Sequence, residues 1–210
     1  NKYYLTFDTP SNHYPTFNNS SFSNTNSKIN NQGRTPLLTL TSPGFYSNID
    51  AGFYQKVTIG DLVWEDKNGN GIYNDDLEQG LAGVTIVLTG IAGNGTNINI
   101  QTITDGNGRY LFNGILPGVY TLTFIAPNDY VFTIPNAGDT SLDSDVVDGK
   151  IENLVLNSGR FDLNLDAGLY RLGSIGDFVW NDVNADGIQQ TDETGLPNIT
   201  LQLFEILGND

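Results

Sequence analysis

The sequence predicts an all-β chain of tandem antiparallel β-sandwich domains, and three observations carry that prediction. Apolar residues recur with a period of two rather than 3.6. Turn signals punctuate them at short intervals, and a block of the chain recurs further downstream. Gly60-Asp61-Leu62-Val63-Trp64 returns as Gly176-Asp177-Phe178-Val179-Trp180, and 176 − 60 = 116. The same offset relates Asp50-Ala51-Gly52-Phe53-Tyr54 to Asp166-Ala167-Gly168-Leu169-Tyr170, and Leu38 and Leu40 to Leu154 and Leu156. Further upstream, Tyr3-Tyr4-Leu5-Thr6-Phe7 resembles Tyr120-Thr121-Leu122-Thr123-Phe124 with the offset slipped by one. A unit this long exceeds solenoid repeats, so each copy is expected to fold as a bead of its own. The registers divide the chain into the C-terminal part of one copy (1–55), a complete copy (56–171) and the N-terminal part of a third (172–210). The absence of an initiator Met reads as a window of a longer chain.

Within the complete copy, Val84, Ile86 and Leu88 alternate with Thr85 and Val87, and Ile98, Ile100 and Thr102 with Asn99, Gln101 and Ile103. Tyr120, Leu122 and Phe124 then alternate with Thr121 and Thr123, and Phe161, Leu163 and Leu165 with Asp162 and Asn164. The third copy repeats the pattern at Ile199, Leu201 and Leu203. One apolar face per strand is the mark of two sheets pressed together. Asp105-Gly106-Asn107-Gly108, Asn113-Gly114, Pro117-Gly118 and Asn136-Ala137-Gly138 are turn sequences between them. No window has helical amphipathicity. Residues 18–31, rich in Asn and Ser, read as a long solvated loop. Trp64 and Trp180 are expected to pack at the sandwich edge, and the tyrosines between Tyr120 and Tyr130 in core and edge.

Composition removes several functions. With 9 Lys and Arg against 24 Asp and Glu, the net charge is −15, which argues against nucleic acid or an anionic membrane as partner. No apolar run approaches the ~20 residues that span a bilayer, and no signal peptide is expected within these residues. The chain has no Cys, hence no disulfide, thiolate zinc site or cysteine nucleophile, and its single histidine, His13, reads as a loop residue. No catalytic residues are assigned and no enzyme is expected. Paired acids such as Asp75 and Glu78 suit glycosidase chemistry in principle, but they fall inside the loop described next.

That loop is the strongest chemical signal, and it occurs twice. Asp182-x-Asn184-x-Asp186-Gly187-x5-Glu193 has the oxygen-donor spacing of a calcium loop, with donors at positions 1, 3, 5 and 12 and a turn glycine at 6. The central copy has Asp66-x-Asn68-x-Asn70-Gly71, with Asp76 at position 11 and Glu78 at position 13, so one residue is inserted. It also has one charge fewer at position 5, and weaker binding is expected there. The same pattern can be a turn in which side chains bond their own backbone. Its recurrence beside Trp64 and Trp180 in so acidic a chain favours Ca2+, held by Asp66, Asn68, Asn70, Asp76 and Glu78 and by Asp182, Asn184, Asp186 and Glu193. The flanks are strand-like, which distinguishes the loops from a helical EF-hand.

Taken with Ile59 to Asp66, Thr104 to Phe112, Leu116 to Tyr120, Asp143-Ser144-Asp145 and Asp166 to Tyr170, these loops resemble the SdrD B-like repeat domains of bacterial serine-aspartate surface adhesins. That family is related to the Ig-like, collagen-adhesin B-type sandwich. The resemblance covers nearly all of the central copy. It implies a calcium-rigidified spacer in an extracellular stalk or fibre, on a bacterial surface or secreted, with neighbouring repeats as partners. It also implies that Asp143 and Asp145, with Asp148 nearby, serve a second calcium site. The positions 116 earlier are Ser27 and Ile29, so that site is absent or altered in the first copy. Some relatives carry a Lys–Asn isopeptide crosslink, but Lys56 reads as an ordinary surface lysine. An alternative function is an adhesive module that grips a host protein or polysaccharide through loops 89–97 and 127–150. Head-to-tail copies in a filament would have the same sequence pattern.

Overall fold

Strand propensity and turn glycines are realised throughout: the structure, a computed structural model, describes residues 1–16, 26–45, 47–74 and 77–204, and they contain strands and turns but no helix. Two units are present, 1–172 and 173–210. The first contains β1 (Lys2–Tyr3), β2 (Tyr14–Thr16), β3 (Leu38–Thr39) and β4 (Gly52–Tyr54), then β5 (Val57–Glu65), β6 (Gln79–Gly80), β7 (Thr85–Ala92) and β8 (Asn97–Ile103). β9 (Arg109–Ile115), β10 (Gly118–Ile125), β11 (Tyr130–Phe132), β12 (Lys150–Leu156), β13 (Phe161–Asp162) and β14 (Ala167–Arg171) complete it.

β12-β10-β7-β8 form one sheet and β11-β14-β5-β13 the other, with β6 and β9 also paired to β5. The alternating rows meet in the core: Val84, Ile86 and Leu88 with Tyr120, Leu122 and Phe124 from one sheet, Val57, Ile59, Val63 and Leu169 from the other. Burial on one face is what imposes the period of two. The sandwich is not purely antiparallel, however. β13 and β14 run parallel to β5, pairing Phe161 with Thr58 and Ala167 with Val63.

Two expected strands are shorter or absent. The alternation at 161–165 yields only β13, and Phe161 is 71% exposed while Leu165 is buried. Asp166 interrupts the ladder: its carboxylate accepts the Leu62 N–H at 3.0 Å, a bond that a continuing strand would have made with its backbone. In the second unit Ile199, Leu201 and Leu203 are exposed and form no strand among the described residues. A strand without a neighbour has nothing to satisfy its backbone or bury its face.

Residues 1–55 repeat the pairings of the sandwich. Tyr3 pairs with Leu38 as Tyr120 pairs with Leu154. Pro15 pairs with Phe53 as Phe132 pairs with Leu169. The Lys28 N–H donates to Asp50 as that of Asp145 donates to Asp166. The offset is therefore 117 on one strand of each pair and 116 on the other, so Asn26 and Lys28, not Ser27 and Ile29, occupy the places of Asp143 and Asp145. Lys28 puts an ammonium where the later copy has a carboxylate, and Ile29 is buried in what was expected to be a solvated loop. The other loop residues, 18–25, lie outside the described ones.

One crossing depends on glycine. Gly108 has φ +76°, and a Cβ on it would overlap the Val63 carbonyl oxygen and the Gly80 Cα, while one on Gly80 would overlap the Asn107 carbonyl. Gly108→Ala should cost about 3 kcal/mol from strain and displaced backbone. Gly106→Ala, two residues away with open space around it, should be near neutral. Urea unfolding of the two variants measures the difference.

Candidate functional site

Both predicted loops fold as ladders of side chain to backbone hydrogen bonds, nearly residue for residue. In the central loop Asp66 accepts the N–H groups of Gly69 at 2.7 Å and Gly71 at 2.8 Å, Asn68 accepts that of Asn70, and Asn70 that of Ile72. Glu78 closes the loop by accepting the Asn74 N–H at 3.1 Å. In the second unit Asp182 accepts from Asp186 and Gly187, Asn184 from Asp186, and Asp186 from Ile188. Glu193 accepts from Gln190 at 3.1 Å and from Val183 at 2.9 Å. Glycine at position 6 takes φ +79° at Gly71 and +76° at Gly187, the left-handed turn that brings the chain back over the first aspartate.

Trp64 bridges Gly80, and Trp180 bridges Gly195, so the offset drops from 116 to 115 across the loop. The inserted residue therefore lies inside the central loop, and Glu78 plays the part of Glu193. Asp76 lies outside the described residues, as does Asp75. Trp64 is fully buried, edge-on to Tyr73 at 5.9 Å between ring centroids.

The two loops differ in burial. Asp66 is fully buried, and its second oxygen also takes the Thr133 hydroxyl, while its own N–H donates to Leu169. No salt bridge reaches it among the described residues. The segment after β11 presses on the loop: Ile72 bridges Asp143, Ser144 donates to Gly71 and Tyr73 to Leu142. Thr133 and Asp143 are the members of this site that spacing along the loop could not reveal, because they arrive from residues far away in sequence. Asp143 is buried, accepts the Gly138 N–H through one oxygen, and has no hydrogen-bond partner for the other.

Asp145 belongs to a different cluster. It accepts the Asp166 N–H at 2.8 Å, and Asp166 in turn accepts the Leu62 N–H. Burial first, then the charges of neighbouring acids, pushes Asp166 up to about 8 and Asp145 to about 6. Burial also raises Asp61, against the opposing pull of Arg109 at 2.9 Å. The Tyr110 hydroxyl, enclosed among these acids, donates to the Leu165 carbonyl. Asp148 stays exposed in the turn at the start of β12, apart from both groups.

Donor chemistry fits a hard dication, since both loops offer only carboxylate, amide and backbone oxygens. Each carboxylate has about four lone-pair positions, and the N–H bonds occupy only part of them. Among the described residues, no three acidic or histidine side chains converge on one point. The loops are thus held by their own backbone, as the turn alternative expected, with oxygens left over. Lys56 is exposed, its Nζ 4.8 Å from the Tyr14 ring centroid.

A family model described as the SdrD B-like domain matches residues 57–169 and 173–210. The chain is 35% identical over 191 residues to serine-aspartate repeat-containing protein I of Staphylococcus saprophyticus, covering 86% of this chain and 10% of that protein. It is 35% identical over 218 residues to serine-aspartate repeat-containing protein F of Staphylococcus epidermidis, covering 99% and 12%. It is 34% identical over 182 residues to serine-aspartate repeat-containing protein D of Staphylococcus aureus strain Newman, covering 85% and 13%. The chain thus spans about a tenth of the length of these relatives. A minor pilin of Streptococcus agalactiae superposes with a TM-score of 0.39 at 13% identity, over 70% of this chain and 68% of its own.

Proposed function

Because the chain belongs to the SdrD B-like domain family, we propose that it is a structural repeat module of an extracellular surface protein, a spacer that calcium stiffens. In this reading 1–55, 56–171 and 172–210 are parts of three successive repeats, and the partners are the neighbouring repeats. The observation that carries it is the parallel pairing of β5 with β14. The first and last strands of the sandwich run the same way, so the chain enters at one end and leaves at the other. The nine residues of β5 separate those levels, roughly 30 Å at ~3.3 Å each. A domain with its ends on the same side would fold the chain back; this one extends it.

The metal loop follows β5 directly, beside the end of β14 from which the chain departs, and the Asp66 N–H to Leu169 bond joins the two. Bound calcium supplies positive charge to carboxylates that otherwise repel one another. Asp182, Asn184, Asp186 and Glu193 would hold it in the second unit; Asp66, Asn68, Asn70 and Glu78 in the first. Ordering the loop orders the exit of the chain. The adhesive alternative, through loops 89–97 and 127–150, has no comparable observation behind it: in the second of these Asp143, Ser144 and Val146 are buried, while Ile134, Leu142 and Val147 are exposed.

Calorimetric titration of calcium into the 210-residue chain tests the proposal, and the Glu193 loop should bind more tightly than the Glu78 loop. A site with Kd of about 10 µM adds ~2.7 kcal/mol in millimolar calcium. Asp182→Asn with Glu193→Gln should remove one class of sites. Neither heat nor a melting shift would reduce both loops to turns.

A further inference from the structure

We propose that two copies of this chain join side by side through β8, continuing the four-stranded sheet across a two-fold axis. A sheet edge is a row of unpaired backbone groups, and natural edges are guarded by charge, shortness or irregular register. Among the described residues, three edge strands of the sandwich are longer than three residues: β8, β9 and β12. β12 carries Lys150 and Glu152 and a register shift opposite Tyr120 and Leu122. β9 carries Arg109 and a shift at Val57 and Thr58. β8, Asn97–Ile103, has no charged residue, no proline, no glycine and an unbroken register with β7. In a chain of net charge −15 it is a stretch that sets no charged side chain of the strand against a second copy.

The hairpin fixes which groups are free. Ala92 donates to Thr96 and Thr104 to Val84, so the even-numbered residues of β8 form the hydrogen-bonded pairs with β7. The N–H and C=O groups of Asn97, Asn99, Gln101 and Ile103 consequently face away from the sheet. Antiparallel pairing centred on Ile100 matches all four at once, Asn97 with Ile103 and Asn99 with Gln101 of the other copy. Side chains agree with that register. Asn99 and Gln101 meet as amides on the outer face, and Ile100, 40% exposed at the rim of the inner face, meets its own equivalent. The strand is self-complementary, as an isologous contact requires. A foreign strand could occupy the same edge, but it would lack this symmetry of side chains.

Sedimentation velocity of the full chain from micromolar to millimolar concentration tests the pairing. The expected result is a reversible doubling of mass. Gln101→Pro removes an outward N–H without touching the β7 ladder, and should leave a monomer that melts within a few degrees of the parent. Asn99→Lys with Gln101→Lys sets lysines opposite lysines and should also give a monomer. Asn99→Lys with Gln101→Glu sets opposite charges across the axis and should restore the dimer. A parent that stays monomeric at millimolar concentration overturns the proposal, as does a dimer that survives in the double-lysine variant.

Discussion

Asp66→Ala should lower the melting temperature by about 15 °C, and should do so in chelator as well as in calcium. The reason is structural before it is metallic. Asp66 is fully buried and accepts from the Gly69 and Gly71 N–H groups and from the Thr133 hydroxyl. Truncation strands three donors in a place that water reaches poorly, each costing ~1–3 kcal/mol when orphaned. These costs overlap, so the three together amount to about 4 kcal/mol. For a domain of this size each 1 kcal/mol moves the midpoint by roughly 4 °C.

The second unit supplies the contrast. Asp182 likewise accepts two loop N–H groups, from Asp186 and Gly187, but in a loop whose bonds lie in solvent. Water replaces the lost acceptor there, so Asp182→Ala should cost less than about 1 kcal/mol without calcium. Its effect should appear only as lost calcium binding. Scanning calorimetry of both variants in chelator separates structural joint from metal ligand. If Asp66→Ala melts within about 3 °C of the parent, roughly 1 kcal/mol, the buried loop does not hold the exit of β14 in place.

That contrast marks what the sequence could reveal. The rows Val84, Ile86, Leu88 and Tyr120, Leu122, Phe124 were legible because burial on one face leaves a period of two in any strand that lines a core. The turns of both carboxylate loops were legible for a similar reason, since their hydrogen-bond partners lie within twelve or thirteen residues and spacing alone encodes the turn. Thr133 was not, and Asp143 was expected at a second calcium site rather than against this loop, because the contacts that bring them to Asp66 and Ile72 are made by the fold. The parallel course of β14 was equally hidden: nothing local in Ala167–Arg171 says which neighbour it will choose. Phe161 shows the opposite failure, in which local alternation promised a strand that the Asp166 carboxylate cut short. Asp166 stands out in the sequence only as part of a repeat, while its charge becomes significant beside Asp61 and Asp145.

In chelator, stability should fall as pH rises from about 4 to 8, and Asp166 is the main cause. Its folded pKa is about 8 and that of Asp145 about 6, both raised from 3.8 chiefly by burial and further by neighbouring acids. A raised carboxyl keeps its proton in the folded chain at a pH where the unfolded chain has released it. The folded state then binds more protons, so each step up in pH within that window favours unfolding. The stabilisation is complete below 3.8, is lost progressively above it, and is gone beyond about 8. Each proton contributes a slope of at most ~1.4 kcal/mol per pH unit. Asp105, Asp139 and Asp186 act in the other sense, their pKa values lowered mainly by backbone N–H bonds. Their contribution is present above 3.8 and disappears only in stronger acid, so it leaves the slope between 4 and 8 untouched. Asp166→Asn retains an oxygen for the Leu62 N–H and removes the charge. It should flatten the dependence and raise the melting temperature at pH 8 more than at pH 5. An unchanged slope in that variant would place the pH response elsewhere than in the cluster of Asp61, Asp145 and Asp166 around Tyr110.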